Sequence, residues 1–193
     1  MMSDEQLVQD VLRGDNQAYE DLVLKHQHKI FTLAYRCMGD EDDAYAMAQE
    51  AMIKAYRSLH SFKGRSSFST WLYRITINVC LDEIRRRKRR IIPFSLNQLL
   101  AAADGDEVQK DIVDESLAAD QLYEQKELFL YIQQALNELR PEYRMAIVLR
   151  DMMGLSYHEI AIVFNCNLGT VKSRINRARS EMKKKLNERE LLS

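Results

Sequence analysis

Along this chain apolar residues recur three and four positions apart, and no segment sustains the period-two alternation of β-branched residues that a sheet requires. The pattern predicts helices throughout. Ser3 with Gln6 caps a short first helix, and Asp15 opens a second that runs to about Met38. Gly39 ends it, and Asp40 starts a third helix reaching about Leu59. A Ser/Gly-rich loop, His60 to Ser67, leads into a long fourth helix from about Ser69 to Arg89, which Pro93 stops. Between residues 91 and 121 short apolar pieces alternate with Ala, Asp and Gly; this is a flexible acidic linker with transient helix around Leu96–Ala103. Helical periodicity resumes near Leu122 and runs to Asn137, and Pro141 then occupies the first turn of a helix that ends near Gly154. The fold class expected is all-α: two small helical domains, residues 1–90 and 122–193, joined by the linker 91–121.

The last helices carry the most information. Ser156 followed by Glu159 is a capping box, and Ile160, Ala161, Val163 and Phe164 give the short helix behind it an apolar side. Asn165 suits a left-handed helix end and Asn167 suits the cap of the next helix. There Val171, Ile175, Ala178 and Met182 form one apolar stripe. Ser173, Asn176, Arg177 and Ser180 point the other way, flanked by Lys172, Arg174 and Arg179. Asn and Arg are the side chains that bond adenine and guanine edges in pairs of hydrogen bonds within a major groove. An ordinary amphipathic helix with a solvated basic face would also show the stripe. The agreement of caps, turn, stripe and polar face favours a helix-turn-helix that binds duplex DNA.

Charge sharpens the division. The net charge is −1, yet residues 172–189 carry eight Lys or Arg against two Glu, and residues 85–90 are six consecutive basic residues. Residues 104–127 carry nine acids against two Lys, and residues 4–50 carry eleven acids against four bases. Two basic segments point to two nucleic-acid contacts, and the acidic first domain to a protein partner. No apolar run approaches the roughly 18 residues of a membrane helix, and the acidic N-terminus lacks a signal-peptide core, so a cytoplasmic protein with no membrane insertion is expected. Cys37, Cys80 and Cys166 are far apart and lack Cys-x-x-Cys spacing, while His26 and His28 fall on different faces of a helix; neither metal nor other cofactor is expected. No Gly-rich phosphate loop or nucleophile signature marks an enzyme.

The fourth helix begins Phe68-Ser69-Thr70-Trp71-Leu72-Tyr73-Arg74-Ile75 and ends in the basic run. Trp71, Leu72 and Ile75 taken alone read as core. Six like charges without a counter-charge, however, do not suit a merely solvated tail. The adjacent loop holds Phe62 and Lys63, with Ser66 and Arg65 at its end. Rings that stack on bases, cations that follow phosphates and an adaptable backbone together suit capture of an extruded single-stranded base.

Residues 43–57 (Asp-Ala-Tyr-Ala-Met-Ala-Gln-Glu-Ala-Met-Ile-Lys-Ala-Tyr-Arg), the Phe-Ser-Thr-Trp-Leu-Tyr-Arg-Ile stretch and Leu168-Gly169-Thr170-Val171-Lys172-Ser173-Arg174 resemble bacterial sigma factors of the extracytoplasmic-function branch of the sigma-70 family. The resemblance covers nearly the whole chain outside the linker. It implies a dissociable promoter-recognition subunit of RNA polymerase, with region 2 in the first domain and region 4 in the second. By position, Asp43, Gln49 and Glu50 would face the core enzyme at the clamp helices of β′, the β flap being a further contact. The loop, Trp71, Arg74, Asn78, Arg85 and Arg86 would handle the melted minus-ten element. Thr170, Lys172, Ser173, Arg174, Asn176, Arg177 and Arg179 would read the duplex minus-thirty-five element. Ala46 departs from the family, which places an acid three residues before the Gln-Glu pair. Asp82 matches a position the family often fills with Asp, expected to bond within the domain. The resemblance also implies an anti-sigma factor as partner. A conventional helix-turn-helix regulator is the rival account; it leaves the Trp71 segment and the basic helix end without a role.

Overall fold

The computed structural model describes residues 2–91 and 118–190. Its helices are α1 (Asp4–Leu12), α2 (Asn16–Met38), α3 (Glu41–Ser58), α4 (Phe68–Ile91), α5 (Ala118–Asn137), α6 (Pro141–Ile147), α7 (Tyr157–Phe164) and α8 (Leu168–Glu190). A 3₁₀ turn, Leu59–Ser61, follows α3, and a π-helical turn, Val148–Met152, continues α6. The all-helical expectation holds among the described residues. The expected linker falls largely outside them, as does the transient helix at Leu96–Ala103. Helix α5 begins at Ala118, one turn before the periodicity becomes visible.

The caps act as their chemistry dictates. Ser3 and Gln6 close a capping box on α1, and the Asp15 side chain accepts from Gln17 N and Ala18 N to start α2. Gly39 ends α2 at φ +82, a left-handed conformation that L side chains rarely adopt, and Asp40 immediately caps α3. In the first half α2 buries Leu22, Ile30 and Leu33 against Leu72 and Ile77 of α4. From α3 come Ala44, Ala51 and Ala55, all fully buried; small side chains there let the helix approach closely. Cys37 and Cys80, distant in sequence, meet in this core, where hydrogen bonding to Cys80 and then burial push the Cys37 thiol well above its ordinary range.

In the second half the stripe on α8 (Val171, Ile175, Ala178 and Met182) is buried as expected, against Met145, Ala146 and Leu149 and against Ile160 and Val163 of α7. Burying each large aliphatic side chain contributes about 1.5–3 kcal/mol. Pro141 sits in the first turn of α6. The helical run ends at Met152, close to the expected end near Gly154, and its last turn, Val148–Met152, takes the π form. In this turn Arg150 Nη1 donates to Leu155 O at 2.7 Å, and the exposed Asp151 pairs with Arg179 of α8.

The two halves are packed together. Helix α4 lies against α7, and α2 lies against α5 and α6. Arg36 on α2 sits over the Phe129 ring at 3.9 Å and bonds Gln133 at 3.2 Å, and Arg144 of α6 is buried with its Nη1 donating to Cys37 O. Amphipathic periodicity does not reveal the polar part of this contact, because Arg36, Gln133 and Arg144 leave no apolar pattern.

Candidate nucleic-acid interface

The helix-turn-helix is formed as its residues direct. Ser156 and Glu159 complete the capping box of α7, Asn165 turns left-handed at φ 49, and Asn167 Oδ1 caps α8 by accepting from Thr170 N at 2.8 Å and Thr170 Oγ1 at 3.0 Å. The Thr170 hydroxyl is therefore engaged in the cap, and Ser173 Oγ donates back to Thr170 O at 3.0 Å. Lys172, Ser173, Asn176, Arg177, Arg179 and Ser180 are exposed opposite the buried stripe. Arg174 is half-buried with its guanidinium 5.2 Å from the Phe164 ring centre. Arg177 is tied to Tyr143 by a hydrogen bond that raises its pKa, and Arg179 to Asp151, with the same effect. Lys172 and Asn176 project outward from this face.

The second nucleic-acid candidate is a cleft of about 630 Å³ between the loop after α3 and the first turns of α4. Phe62, Trp71 and Ile75 form its apolar wall, and Lys63, Arg65 and Arg74 its cationic rim. Ser58, Ser61, Ser66 and Asn78 add hydroxyl and amide groups. The loop residues predicted from sequence thus converge with Trp71, Arg74 and Asn78. The loop is anchored, though, because Phe62 stands edge-on to buried Phe68 at 5.7 Å and lies 5.5 Å from Trp71. Ser61 falls within the predicted loop, but sequence reasoning did not single out Ser58, at the end of α3, or Ile162, which reaches the cleft from α7.

Arg85 and Arg86 lie farther along α4 and do not line the cleft. Arg86 makes two bonds to the buried Glu83 carboxylate, at 2.6 and 2.8 Å, and Arg87 a third at 2.7 Å. These bonds hold the Glu83 carboxyl down to about 2, Arg86 contributing first. Arg85 approaches Asp82 at 3.5 Å, so Asp82 faces an exposed Arg within its own helix. Part of the basic run therefore has its counter-charges within the domain.

A third surface, a groove of about 600 Å³ between α2 and α3, is lined by Val23, Phe31, Tyr45, Gln49, Met52 and Ile53, among others. Tyr45 and Ile53 are more than half exposed, at 53 and 52%. Gln49 belongs to this groove. Glu50 stands beside it, paired with Lys54 at 2.7 Å, and Ala46 is exposed one turn earlier. Asp43 is held elsewhere, accepting two bonds from Arg87 at 2.6 and 2.5 Å that tie α3 to α4. Among the described residues no group of His, Cys, Asp and Glu is placed to hold a metal, and no helix is long and apolar enough to cross a membrane.

Comparison with known proteins matches the family model for sigma-70 region 2 to residues 22–90 and that for sigma-70 region 4 to residues 129–182. The chain is 43% identical over 184 residues to the RNA polymerase sigma-H factor of Pseudomonas aeruginosa, covering 95% of this chain and 93% of that protein. It is 36% identical over 181 residues to the ECF RNA polymerase sigma factor SigW of Bacillus subtilis, covering 94% and 95%. The structure resembles the sigma factor RpoE of Bartonella quintana, solved in complex with the anti-sigma factor NepR, with a TM-score of 0.65, 25% identity and coverage of 88% of this chain and 96% of that one.

Proposed function

This chain belongs to the extracytoplasmic-function branch of the sigma-70 family, and from that premise we propose how its three surfaces divide the work of promoter-specific transcription initiation. The groove between α2 and α3, with Gln49 and Glu50, docks on core RNA polymerase at the β′ clamp helices. The outward face of α8 reads the duplex minus-thirty-five element, Asn176 and Arg177 addressing base edges and Lys172 and Arg179 phosphates. The cleft of Phe62, Trp71, Lys63, Arg65, Arg74 and Asn78 takes a base from the melted minus-ten strand. Arg85 and Arg86 approach the DNA farther along α4. Residues 1–90 and 122–193 form the two functional domains.

The observation that carries this reading is the cleft itself: an apolar wall, a cationic rim and hydroxyl donors in one chain with a helix-turn-helix. A conventional regulator has no use for it. The mechanism involves no covalent step, so the protein is not an enzyme. Capture energy offsets the few kcal/mol, roughly, needed to unstack and unpair a base. The protein works in the cytoplasm with polymerase and promoter DNA, and an anti-sigma factor holds it in reserve, as NepR accompanies the Bartonella protein.

Replacing residues 61–66 with an unrelated loop tests the reading. Pull-down of core polymerase and binding of the upstream duplex should be retained, while permanganate footprinting shows no unpaired thymines. A promoter supplied already melted at the minus-ten region should restore part of the activity. Normal opening by the loop-replaced protein would remove the strand-capture assignment.

A further inference from the structure

Two exposed arginines of α8 are each held by a side chain from the segment before the helix-turn-helix, and the two holders differ in kind. Arg179 gives a pair of hydrogen bonds to the Asp151 carboxylate on the π-helical turn. Arg177 gives one to the hydroxyl of Tyr143, on α6. A carboxylate takes two parallel N–H groups and offsets the charge, so it occupies the same forked edge that a guanine would take. A phenol hydroxyl is uncharged at neutral pH and accepts through a single oxygen. A guanidinium has five N–H donors in a fixed plane, so Arg177 keeps its charge and enough donors for O6 and N7 of a guanine. The carboxylate ties an arginine up; the phenol only aims it.

Tyr143 is itself firmly placed. Its amide donates to Arg140 O at 2.9 Å in the turn that Pro141 begins. The ring is half-buried against the core, and the Arg140 guanidinium lies 6.0 Å from its centre. Met145 and Ala146, fully buried on the same helix, anchor α6 against α8, where Ala178 is fully buried beside Arg177. The acceptor for Arg177 therefore stands on packed helix and not on a loop. An arginine without such a partner must be ordered when it binds, at a cost of roughly two- to tenfold in affinity.

We propose that Tyr143 is a positioning residue for promoter recognition: its hydroxyl aims the Arg177 guanidinium, so that α6 sets one base preference of the recognition helix. The inference rests on the reading of Arg177 as a base contact and names the group that fixes that contact. It also separates the two arginines physically. Arg177 enters the groove already directed, whereas Arg179 must first share or give up the Asp151 carboxylate, which suits a contact to phosphate.

Tyr143→Phe removes the hydroxyl and keeps the ring, and a double-mutant cycle with Arg177→Ala tests the assignment. Full-length protein reconstituted with core polymerase is offered a duplex library randomised across the upstream element, and the base preference is read at every position. Arg177→Ala identifies the base pair that Arg177 reads. Tyr143→Phe should lower discrimination at that same base pair by about two- to tenfold and leave the other positions alone. The salt dependence of binding should stay as in the parent, because Arg177 keeps its charge. The double variant should discriminate no worse than Arg177→Ala alone, since the hydroxyl acts through that side chain. A merely structural role would instead weaken all sequences alike and lower the melting temperature, and that result would overturn the proposal. So would relaxation at a different base pair, which would make Tyr143 a DNA contact in its own right. Unchanged preference in Tyr143→Phe, where Arg177→Ala relaxes one position, would overturn the positioning role and leave the base contact standing. Unchanged preference in both single variants would overturn the contact and the positioning role together.

Discussion

Arg179 on the recognition helix donates two hydrogen bonds, at 3.0 and 2.5 Å, to the carboxylate of Asp151 on the π-helical turn. A side chain proposed to meet a DNA phosphate is thus shared with a carboxylate of its own domain. Binding DNA through Arg179 must displace or share that partner. Asp151→Asn should therefore strengthen binding to duplex DNA of any sequence and steepen the salt dependence by about one unit of slope. Fluorescence anisotropy across a salt series reads both; an unchanged slope would mean that Arg179 does not reach the backbone.

Asn176 projects from the same face, and Arg177 is oriented by Tyr143. Alanine at either position should cost about 1–3 kcal/mol of specific binding and relax preference at one base pair. Lys172→Ala should weaken all sequences alike. Selection from a randomised upstream element, carried out with the polymerase complex, separates these outcomes. An unchanged base preference for Arg177→Ala would assign that side chain to the phosphates.

Docking on core polymerase should depend on the α2–α3 groove. Gln49→Ala combined with Glu50→Lys should weaken co-purification of β′ while leaving the fold intact, since both residues are exposed. Tyr45→Ala should weaken it further by removing exposed apolar surface. Ala46 supplies no charge on this face, so apolar contacts should carry more of the binding than charge, and the association should be only weakly salt-dependent. Strong loss of β′ binding on adding salt would contradict this balance.

Glu83 gives a pH-dependent contribution to stability. Its carboxyl is held near 2 by Arg86 and Arg87, below the ordinary value of 4.5. A depressed carboxylate stabilises the fold fully above its ordinary value, and that stability is lost as pH falls from there toward 2. Glu83→Gln should destabilise the protein at neutral pH by about 1–3 kcal/mol and flatten the acid limb of its unfolding profile. Thermal melts at a series of pH values test this; parallel parent and variant curves would show that Glu83 is not the group responsible.

Local chemistry made much of the fold legible. Ser156 and Glu159 could be read as a capping box, and Asn165 and Asn167 as the two ends of a turn, because those side chains satisfy orphan backbone groups two or three residues away. The stripe of Val171, Ile175, Ala178 and Met182 was equally plain. Arg144 was not: an Arg on a short helix of mixed character gives no sign that carbonyls from two other helices surround it. The docking of the halves was hidden for the same reason. Of the candidate site, the loop and the start of α4 were legible from their mixture of rings and cations. Ile162 was not, since an apolar residue on a short helix reads as core. Asp43 and Arg87 also lay out of reach, because an ion pair between helices 44 residues apart leaves no periodic trace.

Gly39 takes part in both the turn between α2 and α3 and the contact between the halves. Its backbone is left-handed, and a Cβ there would press into the side chain of Asn137 across the interface. Any replacement strains the turn and disturbs the docking in one step. A mutational scan read by thermal stability should therefore tolerate almost no residue but Gly at position 39. Asn137, which carries the other side of the contact at the end of α5, lets the contact between the halves be altered while the α2–α3 turn is left untouched.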